Sequence, residues 1–249
     1  MANDIFQKVL PSTIDYLRAA MDLNGVGVLH QCLSREFLEK VVEFVTGELA
    51  KTRGEYFSYV GSDKVAGSPL EELGRSPAFR SVLTGIYEQA MGHPGPQGDF
   101  LQVLRVLSGV TGLPESHKFH FDAYVVTALV PIIIPTGPEE VRGDLVMYPN
   151  IRSVRSSVLA NLCEKVLLQN SVIASLLATP FVQRRLGAKI IPMQPGNIYV
   201  FWGYRSLHAN RPCPTDSVRA TALFHFANPH PKNFMVRIIE ERHRRRNLD

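Results

Sequence analysis

Two polar residues lie on neighbouring predicted strands within residues 195–221. Residues 198–202 are apolar, β-branched and aromatic, which predicts a buried strand, and His208 follows them. A second strand is predicted to begin near Val218 and carries Arg219. Burying a guanidinium without an anionic partner is costly in free energy. The pattern therefore predicts that Arg219 meets an anion and that His208 serves a metal ion or a proton.

A second group of polar residues lies upstream, within residues 116–135. His120 and Asp122 are two residues apart, so on a strand their side chains project from the same face. Together with the distant His208 they make up the set of two histidines and one carboxylate that binds non-haem Fe(II) and leaves coordination positions open. Thr221 lies two residues beyond Arg219, on the same face of its predicted strand.

The spacing of these residues resembles that of a known enzyme family. The pattern H-x-D, followed by H-x10-R-x-[ST], resembles the Fe(II)/2-oxoglutarate-dependent oxygenases over about half of the chain. The resemblance implies that His120, Asp122 and His208 are iron ligands. It also implies that Arg219 binds the distal carboxylate of 2-oxoglutarate, since a guanidinium pairs well with a planar carboxylate. The family commonly has serine where this chain has Thr221, and threonine keeps the hydroxyl.

The resemblance also implies a reaction. Fe(II), 2-oxoglutarate and dioxygen take part, and oxidative decarboxylation to succinate and carbon dioxide is coupled to attack on an unactivated C–H bond. Related halogenases have a small residue in place of the carboxylate ligand, so Asp122 favours hydroxylation. Desaturation, ring formation and epoxidation remain alternatives. Family members act on amino acids, natural-product intermediates, lipids, proteins and nucleic acids.

Charge and composition narrow the expected partners. The formal charge is +4, much of it within residues 241–246, and no basic stripe with interleaved aromatic residues indicates nucleic-acid binding. We therefore expect a small-molecule substrate, an amino acid or natural-product intermediate, and a monomer or homodimer. No stretch is long enough to span a bilayer. Three irregularly spaced cysteines and the lack of a secretion signal predict a cytoplasmic protein.

Two other functional classes remain open. A cupin-like dioxygenase or isomerase would use a similar barrel and a different metal without 2-oxoglutarate. Arg219 and Thr221 at this spacing argue against that class. A non-enzymatic binding protein built on a decayed oxygenase barrel would not need a complete ligand set.

The expected fold is mainly β with flanking helices. Its core is a double-stranded β-helix, a cupin-like jelly roll of two facing antiparallel sheets. A single domain, residues 1–249, is expected. Residues 1–95 are predicted to supply mostly helical support and loops at the mouth of the site, and residues 100–228 the core. Residues 153–186 are mostly helix-forming and are predicted to be an insertion that acts as a lid or a dimer contact.

The N-terminal region has predicted helix boundaries. Residues 1–50 are predicted to be helical, with Ser34 as an N-cap, and residues 76–91 form another predicted helix. Residues 51–77 are rich in glycine, serine and turn residues, which is typical of a loop at the mouth of a site. Tyr59 in this loop is a candidate for substrate contact, with core packing as the alternative, and no role is assigned to Ser58.

Further candidates for the site lie on the predicted strands. Gln102 and Arg105 have opposite parity, so they face opposite sides of their strand, and either could help to hold 2-oxoglutarate or substrate. The alternative for Arg105 is a surface ion pair. Tyr124 shares the parity of Asp122 and is a candidate for binding 2-oxoglutarate or substrate, or else an aromatic residue that fills the barrel. His225 shares a face with Arg219 and is either a substrate contact or a buried core histidine.

Overall fold

The computed structural model describes residues 5, 6, 9–152 and 170–229. Its helices all flank a sheet-rich core. They are α1 (Pro11–Asn24), α2 (Arg35–Lys51), α3 (Pro69–Arg75), α4 (Pro77–Met91), α5 (Ser171–Ala178) and α6 (Pro180–Arg185). The strands are β1 (Val26–Leu29), β2 (Phe57–Val60), β3 (Leu101–Leu107), β4 (Val126–Ile133), β5 (Leu145–Tyr148), β6 (Lys189–Ile191), β7 (Ile198–Trp202), β8 (Leu207–Asn210) and β9 (Arg219–Phe226).

The strands of the described residues form two antiparallel sheets. The large sheet has the order β1-β7-β4-β9-β3-β2, and the small sheet has the order β6-β5-β8. Leu129 and Phe201 of the large sheet pack with Leu145 and Met147 of the small sheet, so the two sheets face each other across a shared apolar layer. This arrangement confirms the predicted jelly roll with two facing sheets.

The large sheet is covered by helices on its other face. Along β9 the side chains alternate, and the small and aromatic set (Ala220, Ala222, Phe224 and Phe226) joins the main hydrophobic core. Phe79 of α4 meets the Phe224 ring at 5.0 Å between ring centroids. Strict alternation of this kind is what buries one face of a strand against helices and turns the other face inward.

The predicted helix boundaries agree with the structure in several places. The Ser34 hydroxyl accepts a hydrogen bond from the Phe37 amide at 3.2 Å, which caps α2. Leu17 and Met21 form the buried face of α1. The predicted helix at residues 76–91 corresponds to α4 with Ser76 as its N-cap.

Two predictions for the N-terminal region were wrong. β1 interrupts the supposedly helical residues 1–50, because a short apolar run pairs with β7 at the edge of the large sheet. β2 and α3 lie within residues 51–77, where a loop was predicted. β2 pairs with β3 at the opposite edge of the sheet. Tertiary pairing overrides local helix propensity at β1 and local turn propensity at β2.

The connection between β5 and β6 contains the predicted helical insertion. Its described part is α5 and α6, and residues 153–169 lie outside the described residues. The Tyr148 hydroxyl donates a hydrogen bond to the Leu177 carbonyl at 2.6 Å. Leu177 and Ala178 pack against a cluster that includes Phe119 and Val146. α5 is thereby held against the small sheet.

The described helices contain none that is long and apolar enough to cross a membrane. The basic C-terminal segment, residues 241–246, lies outside the described residues.

Candidate functional site

Backbone pairing brings the two histidines of the candidate site together. His208 lies on β8, and the extended chain at His120 pairs with it through two hydrogen bonds, each with an N–O distance of 3.0 Å. Asp122 follows where the chain leaves this edge, and its amide donates to the Gly203 carbonyl at 3.0 Å. The prediction that His120 and Asp122 share a regular strand was therefore wrong. The segment has a single bridge at His120, and the side chains of His120 and Asp122 nevertheless meet at the same cluster.

Three potential ligand atoms converge at this point. Asp122 Oδ1 lies 3.7 Å from His120 Nε2 and 3.6 Å from His208 Nε2. All candidate ligand atoms of the three residues lie within 4.8 Å of one another. Nitrogen and oxygen ligands sit about 2.0–2.2 Å from a first-row metal, so these separations suit one ion bound between them. The described residues contain no other cluster of this kind.

Hydrogen bonds fix the tautomers of both histidines. His120 Nδ1 lies 2.8 Å from the Lys118 carbonyl, and His208 Nδ1 lies 3.0 Å from the Ser206 carbonyl. Because a carbonyl only accepts, each Nδ1 carries the proton, and each Nε2 lone pair faces the cluster. His208 Nε2 is buried and has no hydrogen-bond partner. A buried nitrogen of this kind needs an ion or a donor, so the residues fit a metal.

Electrostatics keep His120 and Asp122 in the protonation states that a metal ligand needs. Burial, together with the neighbouring His208, lowers the pKa of His120 from 6.5 to about 4, even though 46% of its side chain is exposed towards a cavity. Burial opposes ionisation of Asp122. The imidazoles of His208, His225 and His120 and the Thr127 hydroxyl outweigh that effect and lower its pKa to about 2. At neutral pH His120 is therefore a neutral imidazole and Asp122 is a carboxylate.

The other carboxylate oxygen of Asp122 is held by residues that the motif did not indicate. The Thr127 hydroxyl donates to Asp122 Oδ2 at 2.5 Å, and Thr127 Oγ1 lies 3.0 Å from His225 Nδ1. A hydroxyl has one proton, so His225 Nδ1 must be the donor in the second contact. Thr127 faces His225 in the register of β4 and β9. The inward parity of β4, shared by Thr127 and Leu129, was the signal that could have identified Thr127.

Gly203 leaves the space that this arrangement needs. A Cβ at position 203 would lie 2.4 Å from both Asp122 Oδ2 and Thr127 Oγ1. Side-chain atoms cannot approach so closely, so only glycine permits the carboxylate and the hydroxyl to meet here. The break at Gly203, after β7, is therefore part of the candidate site.

Arg219 and Thr221 lie side by side on the inward face of β9. Their exposed fractions are 2% and 1%. Arg219 Nε donates to the Gly143 carbonyl at 2.6 Å, and Nη1 donates to Thr221 Oγ1 at 3.2 Å. Within the described residues no carboxylate forms an ion pair with Arg219. Burial, and the positive charge of Arg105, lower its pKa to about 10. A cation buried in this way can bind an anionic ligand.

Two predicted site residues lie elsewhere. Gln102 is on the helix side of β3, where its Nε2 packs so closely on Gly74 that a Cβ there would lie 2.3 Å away. The Tyr59 hydroxyl donates to Glu48 of α2 at 2.5 Å. Parity correctly placed Gln102 and Arg105 on opposite faces, and the helix layer occupies the face of Gln102. The structure therefore places neither Gln102 nor Tyr59 beside the ligand cluster.

The other candidates lie near the cluster. The Tyr124 ring stacks on His225 with 5.5 Å between ring centroids and 29° between planes. His225 Nδ1 is 3.7 Å from Asp122 Oδ2. Arg105 faces inward opposite Thr221. These placements leave Tyr124, His225 and Arg105 as candidates.

A cavity opens beside His120. Its volume is about 1090 Å³, and His120 and Arg105 belong to its wall. α5 contributes to the wall through Ala174 and Ala178. The described part of the predicted insertion thus borders the space next to the candidate metal ligands.

Comparison with other proteins supports the fold. No protein-family model matches the sequence, and no curated protein gives a significant match. Solved structures do match. SnoN, a non-heme alpha-ketoglutarate-dependent epimerase from nogalamycin biosynthesis, has a TM-score of 0.59 at 11% identity, covering 88% of this chain and 84% of its own.

Two further structures have comparable similarity. A prolyl-4-hydroxylase from Pseudomonas putida has a TM-score of 0.53 at 11% identity, covering 86% of this chain and 98% of its own. HygX from Streptomyces hygroscopicus, solved with nickel and 2-oxoglutarate bound, has a TM-score of 0.55 at 12% identity, covering 85% of each chain. The chain described here therefore has the fold of the Fe(II)/2-oxoglutarate-dependent oxygenases.

Proposed function

We propose that the protein is an Fe(II)- and 2-oxoglutarate-dependent oxygenase that hydroxylates an unactivated C–H bond of a small molecule. The observation that carries this proposal is the convergence of His120 Nε2, His208 Nε2 and Asp122 Oδ1 on one point. The fold shared with SnoN and HygX supports it.

The donor set fits Fe(II). Two neutral imidazoles and one carboxylate bind this ion and leave positions for a co-substrate and dioxygen. Iron bound here would supply activation of dioxygen, which no side chain of the protein can supply alone. His120, His208 and Asp122 would hold it. The hydrogen bonds that the two imidazoles donate to the Lys118 and Ser206 carbonyls orient the rings, and the bond that Thr127 donates orients the carboxylate.

Arg219 and Thr221 would bind 2-oxoglutarate. The guanidinium is buried, and within the described residues it has hydrogen bonds but no carboxylate partner. The distal carboxylate of 2-oxoglutarate supplies the missing charge, and the adjacent hydroxyl of Thr221 can donate a further hydrogen bond. This feature favours 2-oxoglutarate over the alternative of a cupin-like enzyme that does not use it.

The cavity beside His120 would hold the substrate. A small molecule fits a space of about 1090 Å³, and α5 and the residues around Phe119 supply parts of its wall. The free thiols of Cys32 and Cys213 support the proposal that the protein works in the cytoplasm.

Anaerobic titration with Fe(II) and 2-oxoglutarate tests the proposal. We expect a weak visible metal-to-ligand charge-transfer band. Asp122→Ala should abolish it, and Arg219→Ala should weaken it while iron still binds. Arg35→Ala is a matched control, because its side chain is 93% exposed on α2, and it should leave the band unchanged.

Product analysis distinguishes the alternatives. Succinate release with gain of one oxygen atom by a substrate supports hydroxylation. Succinate release with loss of two hydrogen atoms from the substrate would indicate desaturation instead. Succinate release with a product of unchanged mass would indicate an epimerisation, the type of reaction for which SnoN is named. Bound iron with neither the band nor succinate release overturns the 2-oxoglutarate assignment and favours the cupin-like alternative.

A further inference from the structure

We propose that the substrate carries an anionic group and that Arg105 binds this group in the cavity beside His120. The inference deepens the proposed function and rests on it, because it assigns a chemical class to a substrate of the same site. It is carried by the position of Arg105, by the charges around the cavity and by the apolar remainder of the cavity wall.

Arg105 borders the cavity beside His120 and lies opposite Thr221 of the candidate 2-oxoglutarate site. On β3 it faces Thr221 of β9 across the sheet register. It also belongs, together with His120, to the wall of the cavity. A ligand that reaches into the cavity past His120 therefore meets this guanidinium.

Part of the Arg105 guanidinium is available to a ligand. Both of its hydrogen bonds use Nη2, which donates to the Glu115 carbonyl at 3.1 Å and to Glu115 Oε2 at 2.7 Å. Within the described residues, the N–H groups on Nε and Nη1 have no acceptor. The side chain is 20% exposed and belongs to the cavity wall. Glu115 thus fixes the guanidinium, and its remaining donors are free for an anion.

The charged side chains of the cavity wall are cationic. Arg105 and Lys118 belong to it, and no acidic side chain lines the cavity within the described part of the chain. Glu115 lies behind them and is ionised, because Lys118 and Arg105 lower the pKa of its carboxyl although burial opposes this. One carboxylate between two cations leaves a single positive charge at the wall.

The charges of the loaded site would balance without this group. Fe(II), the Asp122 carboxylate, doubly charged 2-oxoglutarate and Arg219 together carry no net charge. The net positive charge of the group formed by Arg105, Lys118 and Glu115 is therefore not neutralised by the metal ion or by 2-oxoglutarate. An anionic group on the substrate would neutralise it inside a partly desolvated cavity, where such pairing is strongest.

The rest of the wall defines the body of this substrate. The remaining lining residues are largely apolar or small and include Pro114, Phe119, Ala174 and Ala178. The Ser116 hydroxyl, at the same wall, is buried without a hydrogen-bond partner in the described structure. It offers a further donor or acceptor beside the cations. A carboxylate or phosphate on an apolar body matches this combination.

Matched ligand pairs test the inference on the anaerobic complex with Fe(II) and excess 2-oxoglutarate. The probes are 4-phenylbutyrate, cinnamate and decanoate, each compared with its primary amide, and phenyl phosphate as the phosphate source. Binding is measured from the shift of the charge-transfer band. At least one acid should bind about tenfold more tightly than its amide, since a charge-assisted hydrogen bond adds this much.

Variants assign the preference to Arg105. Arg105→Gln should remove the preference for the acid, Arg105→Lys should retain part of it, and the exposed control Arg35→Gln should keep it in full. Tightest binding by phenyl phosphate would identify phosphate as the anion, and tightest binding by an acid would identify carboxylate.

Three results would overturn the inference while leaving the proposed function intact. They are a normal band with no acid bound better than its amide and no binding of phenyl phosphate, a preference for the anion that survives in Arg105→Gln, and loss of the band on adding the anion, which shows displacement of 2-oxoglutarate. Absence of the band before any probe is added overturns the proposed function instead.

Discussion

The Thr127 hydroxyl donates a hydrogen bond to Asp122 Oδ2, with 2.5 Å between the two oxygens. This bond occupies the carboxylate oxygen that points away from the two imidazoles and leaves Oδ1 beside their Nε2 atoms. His225 supports it by donating to Thr127. A metal ion held by this site would therefore meet one oxygen of the Asp122 carboxylate, Oδ1.

Replacing Thr127 should weaken metal binding. Thr127→Val keeps the shape of the side chain and removes the hydroxyl, so Asp122 loses its orienting bond. We expect the dissociation constant for Fe(II) or Co(II) to rise about tenfold or more. Thr127→Ser retains the hydroxyl and should stay near wild type. Competition with a chelating indicator measures both, and equal affinities for the two variants would contradict the role of the hydroxyl.

Adding one methyl group at Gly203 should disrupt the same carboxylate. In Gly203→Ala the new Cβ would lie 2.4 Å from Asp122 Oδ2, so the carboxylate or the backbone must move. We expect a loss of about 1–3 kcal/mol in the free energy of unfolding and a marked loss of metal affinity.

Gly47→Ala is the matched control for this change. Gly47 lies within α2, and a Cβ there meets nothing within 4 Å. Gly47→Ala should raise the free energy of unfolding by up to about 1 kcal/mol, because alanine has a higher helix propensity than glycine. Urea denaturation measures both variants, and wild-type metal binding by Gly203→Ala would show that the site relaxes easily.

Arg219 should have different effects on stability and on ligand binding. The guanidinium is buried and, among the described residues, lacks a carboxylate partner. When 2-oxoglutarate is absent, the free energy of unfolding of Arg219→Met should therefore lie within about 1 kcal/mol of that of wild type. A hundredfold excess of 2-oxoglutarate over its dissociation constant should stabilise wild type by about 2.7 kcal/mol and leave the variant unchanged. Equal stabilisation of both in urea denaturation would exclude Arg219 from the binding site.

The metal-free protein should lose stability on mild acidification. Burial lowers the pKa of His120 from 6.5 to about 4 and also lowers the pKa of His225. As the pH falls from 6.5 towards 4, the unfolded chain binds protons that the folded chain does not, so the free energy of unfolding falls. His120→Gln should show a shallower pH dependence in urea denaturation with chelator present. An identical slope in both proteins would show that His120 titrates normally in the folded state.

The inward residues of the core could be predicted from sequence because they follow strand periodicity. Arg219, Thr221 and His225 alternate with apolar residues along β9, and this period of two placed them on one face. The spacing of two residues correctly predicted that His120 and Asp122 lie on the same side, although the chain there forms a single bridge and no regular strand. The prediction of the residues near the ligand cluster depended on their spacing along the strands, which sets the face of the sheet on which each side chain lies.

Other features depend on partners that are distant in sequence. Parity separated Gln102 from Arg105 but did not show which face meets the helices, and α3 settles that through Gly74. β1 and β2 are four residues long and are edge strands, whose formation depends on pairing with β7 and β3. Thr127 has no motif of its own, and only its register opposite His225 reveals its contact with Asp122.

β5 and β6 are adjacent antiparallel strands, and the chain between them supplies α5 to the cavity wall. The ends of this connection are held together by the small sheet, whatever its length. Since loop-closure entropy grows only slowly with length, the connection can be exchanged or resized at little cost in stability. His120, Asp122 and His208 lie outside it. If the proposed function holds, exchange of this one connection would change the wall of the substrate cavity and leave the three candidate metal ligands in place.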